Sequence, residues 1–178
     1  MQVKLLATKG QGKFEEVIWT KPDITADEIE VKAVLTGVCR SDIDMMQGKF
    51  KLLPVHMMGH EGVAEVTKVG ANIIDVKIGD YVATRGEPAY ADYYNVRRNE
   101  YVRVPSAEPK YILEPVACGI NMIEQNRQLL RNKRGRLAIL GTGFLAWTAF
   151  QTLAINRYEL EVDVIGRSNS NRLSLIHI

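Results

Sequence analysis

Polar and apolar residues alternate along the first part of the chain, in short runs separated by turn-forming residues. Residues 28–35 alternate in this way, and residues 62–69 form a second such run. This alternation is typical of half-buried β-strands. Shorter runs of the same kind follow at residues 81–84, 89–96 and 101–104. Many short strands with turn signals between them predict a small barrel or sandwich.

The period of the pattern changes at Glu114. Residues 115–132 carry apolar side chains at roughly helical spacing, and a short apolar strand is predicted at residues 136–140. A glycine-containing turn, a helical stretch to about residue 156 and a strand at residues 161–165 follow. This order is the opening of a doubly wound nucleotide-binding fold, which needs roughly six strands when whole. We therefore expect the chain to be an incomplete fragment that is inactive by itself.

Candidate chemistry is concentrated in two short segments of the predicted barrel. The first is Gly37-Val38-Cys39-Arg40-Ser41-Asp42, and the second, about twenty residues later, is Gly59-His60-Glu61-Gly62. Zinc accepts sulfur, nitrogen and oxygen ligands together, and a catalytic zinc site uses about three protein ligands and keeps one position open. A short helix is predicted at residues 41–47, with Ser41 as its N-cap.

These two segments resemble the catalytic zinc signature of the zinc-dependent medium-chain alcohol and polyol dehydrogenases. The resemblance implies a mixed α/β protein, with an N-terminal GroES-like β-barrel followed by the start of a Rossmann doubly wound domain. We expect the GroES-like catalytic domain at residues 1–113, and an interdomain helix with the incomplete Rossmann domain at residues 114–172. Residues 173–178 match the translation of a common transposon-based sequencing adaptor, so we expect an adaptor-derived tail there.

The resemblance also implies a ligand set for a single catalytic zinc ion. The positions that match Cys39 and His60 bind the metal directly in the family, and the one that matches Glu61 is a ligand or lies just behind the ligands. Glu114 matches a further ligand position, and a glutamate followed by proline is similar to the sorbitol and threonine dehydrogenase branch. Cys118 falls off that position and is interpreted as a core residue.

The chain departs from many relatives at two places. No cysteine occurs at residues 81–95, so we expect no structural zinc site. The proton relay of some alcohol dehydrogenases ends in a histidine at the position of Asp44, which leaves the relay beyond Ser41 open. His56 is a candidate substitute, with a surface loop as the alternative interpretation.

The resemblance assigns catalytic roles to Ser41, as the group that passes the substrate proton to solvent, and to Glu61. Arg40 matches a position that contacts the cofactor pyrophosphate, and a solvated surface arginine is the alternative. A dinucleotide site is predicted where a glycine turn lies between a strand and a helix, because the backbone there can approach phosphates at a helix N-terminus. Its residues are Gly141, Thr142, Gly143, Phe144, Leu145 and Ala146.

The end of the last predicted strand favours NADP over NAD. NAD sites usually carry an acidic residue about twenty residues after the glycine turn, and Gly166 occupies that position. Arg167 could pair with a 2′-phosphate, and Ser168 could add a hydroxyl. Asp163 is a rival, but it lies within the predicted strand. A flexible turn with a solvated arginine is the alternative interpretation.

Composition narrows the class of protein. The 178 residues are 46% apolar, which suits a globular core, and the net charge of +2 gives no indication of a nucleic-acid or membrane partner. Two cysteines, with no secretion signal and no membrane-spanning run, indicate a cytoplasmic protein.

We therefore expect an oxidoreductase that transfers hydride between an alcohol or polyol and a nicotinamide dinucleotide, and that forms a homo-oligomer at full length. A zinc-free quinone or enoyl-type reductase of the same superfamily and a non-catalytic zinc-binding module are the alternatives.

Overall fold

The computed structural model describes residues 1–50, 56–131, 135–156 and 158–167. The chain divides into two compact units, Met1–Glu114 and Pro115–Ile178. Ser168 and the tail expected at residues 173–178 lie outside the described residues. None of the described helices combines the length and hydropathy that crossing a bilayer requires.

The described part of the first unit contains eight strands, one short helix and a 3₁₀ turn. They are β1 (Gln2–Thr8), β2 (Phe14–Thr20), β3 (Glu28–Thr36), α1 (Arg40–Met46), β4 (His56–Met57), β5 (Gly62–Val69), β6 (Tyr81–Thr84), β7 (Tyr93–Arg97), β8 (Tyr101–Val104) and the turn Pro109–Tyr111. Three strands form one sheet in the order β2-β1-β4, and five form a second in the order β7-β3-β5-β6-β8, with all neighbours antiparallel. The short-strand architecture predicted from the alternation is confirmed.

The core of this unit lies on the inner face of the five-stranded sheet. Its fully buried side chains come from β3, β5, β6 and β7, and they include Ile29, Val31, Ala64, Val66, Val82, Tyr94 and Val96. The predicted strand at residues 89–96 is wrong at its start, because residues 87–90 form a turn and the strand begins only at Tyr93. Within that turn, Ala89 and Tyr90 donate backbone hydrogen bonds to the carbonyl oxygens of Gly59 and Met58. The strands β1 and β2 were not predicted.

One polar residue of β3 departs from the predicted alternation. Glu30 is buried rather than facing water, and it pairs with the buried Lys21 at 2.8 Å. Burial by itself would raise the pKa of Glu30, but hydrogen bonds from Lys21, Lys68 and Thr67 outweigh it and lower the pKa from its ordinary value of 4.5. A buried charge is tolerated here because its partner is buried with it.

The second unit begins with helices and continues as a strand–helix–strand motif. Its elements are α2 (Glu114–Gln125, which starts at the last residue of the first unit), α3 (Arg127–Arg131), β9 (Gly135–Leu140), α4 (Phe144–Ile155) and β10 (Leu160–Ile165). The strands β9 and β10 pair in parallel, with Leu140 opposite Ile165. Buried Ile123, Ala149 and Leu153 pack with Leu137 and Val162. The predicted mixed α/β class, with a Rossmann-type opening after the barrel, is confirmed.

Replacing Lys21 should destabilise the first unit more than replacing an exposed lysine. Lys21→Met leaves Glu30 buried with Lys68 and Thr67 only, so we expect a loss of about 3 kcal/mol in the free energy of unfolding. The difference from wild type should shrink as the pH falls below about 4.5, because the lowered pKa of Glu30 stabilises the fold only while the group is ionised.

The matched control for this prediction is Lys4→Met. Lys4 pairs with Glu16 at 3.3 Å, and both side chains are 60% exposed, so its loss should cost less than about 1 kcal/mol. Urea denaturation followed by circular dichroism measures both variants. Equal losses for the two would contradict the structural importance of the buried pair.

Candidate metal centre and nucleotide turn

Three potential metal-binding side chains converge at one end of β3 and β5. Atoms of Cys39, His60 and Glu61 that could bind a metal all lie within 4.8 Å of one another. Cys39 is the N-cap of α1, and the other two precede β5. The set combines a sulfur, a nitrogen and an oxygen donor, which is the mixture that zinc accepts.

Two glycines permit this close approach. Gly37 donates a backbone hydrogen bond of 2.8 Å to the carbonyl oxygen of Glu61, and a Cβ atom at position 37 would overlap the Glu61 carboxylate. Gly59, just before His60, has a positive φ of 88°, and a Cβ there would lie 2.6 Å from the backbone nitrogen of Tyr90. Glycine is the residue that adopts the conformation of Gly59 without strain, whereas position 37 requires glycine because no space is left for a Cβ atom.

The fully buried Asp42 lies behind the candidate ligands. Its Oδ2 accepts hydrogen bonds from the backbone N–H of Cys39 at 2.8 Å and from the hydroxyl of Tyr90 at 3.0 Å. Its Oδ1 lies 3.6 Å from Nδ1 of His60 and has no hydrogen-bond partner among the described residues. A carboxylate facing the second nitrogen of a metal-binding histidine commonly fixes the ring and its tautomer. Sequence reasoning did not assign this role to Asp42.

The carboxyl group of Glu61 lies in an unfavourable environment for its charge. Burial raises its pKa above the ordinary value of 4.5, and the nearby charge of Glu114 raises it further, against a hydrogen bond with Cys39 that lowers it. Nε2 of His60 lies 4.0 Å from Oε1 of Glu61. A cation at this point would relieve the repulsion between the carboxylates.

Glu114 and Ser41 lie beside the three convergent groups rather than among them. Both line a groove of about 680 Å³ together with His60. Oγ of Ser41 is 3.5 Å from Nε2 of His60. The prediction that Ser41 caps the helix is wrong: α1 starts one residue earlier with Cys39 as the N-cap, and Ser41 lies in its first turn. Its side chain is therefore directed to the groove instead of the helix end.

The rest of the groove is lined almost entirely by polar side chains. Its other lining residues are Glu28, Met45, Arg85, Gly86, Glu87, Asn95, Arg97 and Glu100. The guanidinium groups of Arg85 and Arg97 form no ion pair with any residue in the described ranges. Two cationic groups thus face the same open space as Ser41 and His60.

Arg40 lies on the exposed surface of α1. Its Nε donates to Oδ1 of Asp44 at 3.0 Å, and Lys49 pairs with the same oxygen at 2.8 Å. The hydrogen bond from Lys49, followed by that from Arg40, lowers the pKa of Asp44. The Asp44 carboxylate therefore forms ion pairs with two side chains on the surface, Arg40 and Lys49.

The backbone of His56 lies in β4, and its side chain is outside the described part of the structure.

The predicted glycine turn lies between β9 and α4. Gly141 has a positive φ of 117° and donates a backbone hydrogen bond of 2.8 Å to Ile165, so the turn lies beside the carboxyl end of β10. Gly143 is the N-cap of α4. Of the remaining predicted residues, Thr142 lies in the glycine turn, and Phe144, Leu145 and Ala146 form the start of α4.

Gly166 and Arg167 follow β10 and are exposed. Asp163 lies within β10, where its carboxylate pairs with Arg136 of β9 at 2.8 Å.

The interpretation of Cys118 as a core residue is wrong, because this cysteine is exposed on α2.

Comparison with known proteins finds relatives of the barrel. Residues 25–108 match the family described as "Alcohol dehydrogenase GroES-like domain". The D-arabitol-phosphate dehydrogenase of Enterococcus avium is 42% identical over 156 residues, a match that covers 68% of this chain and 44% of the relative. An alcohol dehydrogenase of Schizosaccharomyces pombe is 43% identical over 76 residues, covering 41% and 21%. The L-threonine 3-dehydrogenase of Pyrococcus abyssi is 27% identical over 103 residues, covering 56% and 30%.

Solved structures resemble both units of the chain in fold. Galactitol-1-phosphate dehydrogenase from Escherichia coli superposes with a TM-score of 0.68 at 21% identity, covering 96% of this chain and 58% of that one. CAD from Helicobacter pylori, complexed with NADP(H), gives a TM-score of 0.70 at 19% identity, covering 97% and 61%.

These matches leave much of each relative uncovered. The chain spans less than half the length of the curated relatives named above. Residues 25–108 are similar to the alcohol dehydrogenase GroES-like domain, and the predicted resemblance to the medium-chain alcohol and polyol dehydrogenases is confirmed.

Proposed function

We propose that this chain supplies the catalytic metal centre and the first part of the cofactor site of a zinc-dependent oxidoreductase. The reaction is hydride transfer between an alcohol or polyol and a nicotinamide dinucleotide. The observation that carries the proposal is the convergence of Cys39, His60 and Glu61 within 4.8 Å. Orientation by Asp42 supports it, because a carboxylate behind a histidine is a common feature of zinc sites.

The donor set fits one zinc ion per chain. Cys39, His60 and one or both of Glu61 and Glu114 would hold it, and all four belong to the same compact unit. Zinc at this point would supply a Lewis acid that lowers the pKa of a substrate hydroxyl. The nicotinamide would supply the hydride acceptor.

The chain's own residues would position the substrate and move its proton. Ser41 lines the groove beside His60, so its hydroxyl can accept a proton from a substrate hydroxyl and pass it to water in the groove. The buried carboxylate of Glu61 and the nearby Glu114 would balance the charge of the metal. Arg40, on the exposed face of α1, would contact the cofactor pyrophosphate.

The first test is the zinc content of the purified chain. We expect one zinc per chain after reconstitution, and Cys39→Ser should lose it while circular dichroism shows the barrel still folded. The physical reason is that the thiolate is the softest donor of the set. The matched control is Cys118→Ser, which removes an exposed cysteine of the other unit and should leave the zinc content unchanged.

Other outcomes of this test contradict the proposal in different ways. Two tightly bound zinc ions would contradict the single site. No zinc in the reconstituted wild-type chain would favour the zinc-free quinone or enoyl-type reductase. Stoichiometric zinc without dehydrogenase activity in a full-length homologue would favour a non-catalytic zinc-binding module.

A phosphorylated polyol is the substrate class that we favour within this proposal. One relative is named as a D-arabitol-phosphate dehydrogenase, and one protein of similar fold is a galactitol-1-phosphate dehydrogenase. Arg85 and Arg97 line the groove that also contains Ser41 and His60. Guanidinium groups bind phosphate through charge-assisted, often bidentate hydrogen bonds. Four glutamates in the groove work against a phosphate, so the arginines must carry its recognition.

The substrate test uses a chimaera in which residues 1–172 of this chain are continued by the C-terminal part of the Enterococcus avium enzyme. Arg85→Ala should lower kcat/KM for a polyol phosphate by about 30-fold or more, because a hydrogen bond to a charged group is lost. The value for the unphosphorylated polyol should stay within about twofold, as should both values in the control Arg103→Ala, whose guanidinium pairs with Asp80 instead. Equal losses for both substrates in Arg85→Ala would argue against a phosphate contact.

We further propose that the cofactor is NADP rather than NAD. Gly166 at the end of β10 offers no carboxylate to repel a 2′-phosphate, and the exposed Arg167 follows it. Asp163, the acidic rival, is engaged with Arg136 in the strand. In the chimaera, kcat/KM should be at least about tenfold higher with NADP, and Arg167→Ala should remove most of that preference. Equal or better use of NAD, unchanged in Arg167→Ala, would contradict the assignment.

Zinc binding by Cys39 fits the cytoplasmic location that we propose, because a cysteine that binds zinc must stay reduced. Neither Cys39 nor Cys118 forms a disulfide with another described residue. The expected homo-oligomer stays a prediction.

A further inference from the structure

A tyrosine far along the chain contacts both ligand-bearing segments of the metal centre. The hydroxyl of Tyr90 lies 3.0 Å from Oδ2 of Asp42 and 3.1 Å from the carbonyl oxygen of Gly37, two residues before Cys39. Its backbone N–H donates to Met58 at 3.0 Å. Its ring covers Gly59, where an added Cβ would lie 2.7 Å from the ring carbon Cγ.

We propose that Tyr90 is a positioning residue of the metal centre, which holds Asp42 so that His60 keeps the orientation needed to bind zinc. The proposal rests on the zinc site proposed above and extends it to a residue about thirty positions beyond the second ligand segment. Tyr90 acts through Asp42 and is not itself a ligand.

The hydrogen bonds around Asp42 give the physical reason. Oδ2 receives two donors, the N–H of Cys39 and the hydroxyl of Tyr90. These donors fix the plane of the carboxylate, so that Oδ1 is left facing Nδ1 of His60 at 3.6 Å. An oxygen on that side of the ring favours a proton on Nδ1 and leaves Nε2 to bind a metal. Without the hydroxyl, the buried carboxylate loses one of the two contacts that hold its orientation.

A purely structural role for Tyr90 makes a different prediction. If Tyr90 only packs against Gly59, replacement by phenylalanine keeps the ring and changes stability alone. If Tyr90 positions Asp42, the same replacement changes the affinity for the metal and the geometry around it. The phenol hydroxyl is therefore the group to remove.

The experiment compares Tyr90→Phe with Tyr101→Phe in the 178-residue chain. Tyr101 is a matched control, because its hydroxyl donates to Asp75 at 2.9 Å on a different part of the barrel. Competition with a chelator measures zinc affinity, and the visible spectrum of the Co²⁺-substituted chain reports the ligand geometry. We expect Tyr90→Phe to bind zinc at least about tenfold more weakly with an altered Co²⁺ spectrum, and Tyr101→Phe to match wild type in both.

Two results separate this inference from the proposed zinc site. A wild-type chain that binds no zinc overturns both together. A wild-type chain that binds zinc, with a folded Tyr90→Phe variant of the same affinity and the same Co²⁺ spectrum, overturns only the role of Tyr90.

A second variant keeps the test decisive if Tyr90→Phe does not fold. Asp42→Asn should weaken zinc binding by at least about tenfold, because Tyr90 acts on the metal centre through this carboxylate. Unchanged zinc affinity in Asp42→Asn would overturn the proposal, since Tyr90 then has no route to the metal.

Discussion

A buried carboxylate with one oxygen unsatisfied is the constraint around which the candidate metal centre is arranged. Asp42 is fully buried, and Oδ1 has no hydrogen-bond partner among the described residues. Burying such a group is costly unless a donor or a positive charge faces it. His60 lies on that side at 3.6 Å, and a metal on the far nitrogen of the ring would strengthen the ring's positive character. The buried carboxylate of Asp42 thus explains why its segment, residues 37–42, must lie against the segment that contains His60, residues 59–62.

Sequence predicted the elements whose signal is local, and it missed those that depend on distant partners. The runs at residues 62–69 and 81–84 became β5 and β6 because alternation alone indicates a half-buried strand. Glu30 broke the same rule, since its burial depends on Lys21, which lies in a different segment. The edge strand β2 was also not predicted, because it is stabilised by pairing with β1 rather than indicated by a marked alternation of polar and apolar residues in its own sequence.

The candidate site likewise contains residues that short motifs predicted and residues whose roles depend on distant partners. Cys39, His60 and Glu61 were found from short motifs and from resemblance to a family, and the structure brings them within 4.8 Å. Asp42 lies in the first motif, three residues after Cys39, yet its role depends on facing His60 across the fold. Tyr90 lies in no motif at all. Its contacts with Gly37, Gly59 and Asp42 arise only when the turn before β7 folds over both ligand segments.

The division of the chain into two units separates the candidate metal ligands from the predicted glycine turn. Every candidate ligand, together with Asp42 and Tyr90, belongs to Met1–Glu114, whereas the glycine turn and Arg167 belong to Pro115–Ile178. The cross-strand contacts that hold the ligands, such as the bond from Gly37 to Glu61, are formed inside the first unit. Zinc affinity should therefore report on the barrel alone. Substitutions in the glycine turn should therefore leave zinc affinity unchanged, so the metal centre can be measured independently of that turn.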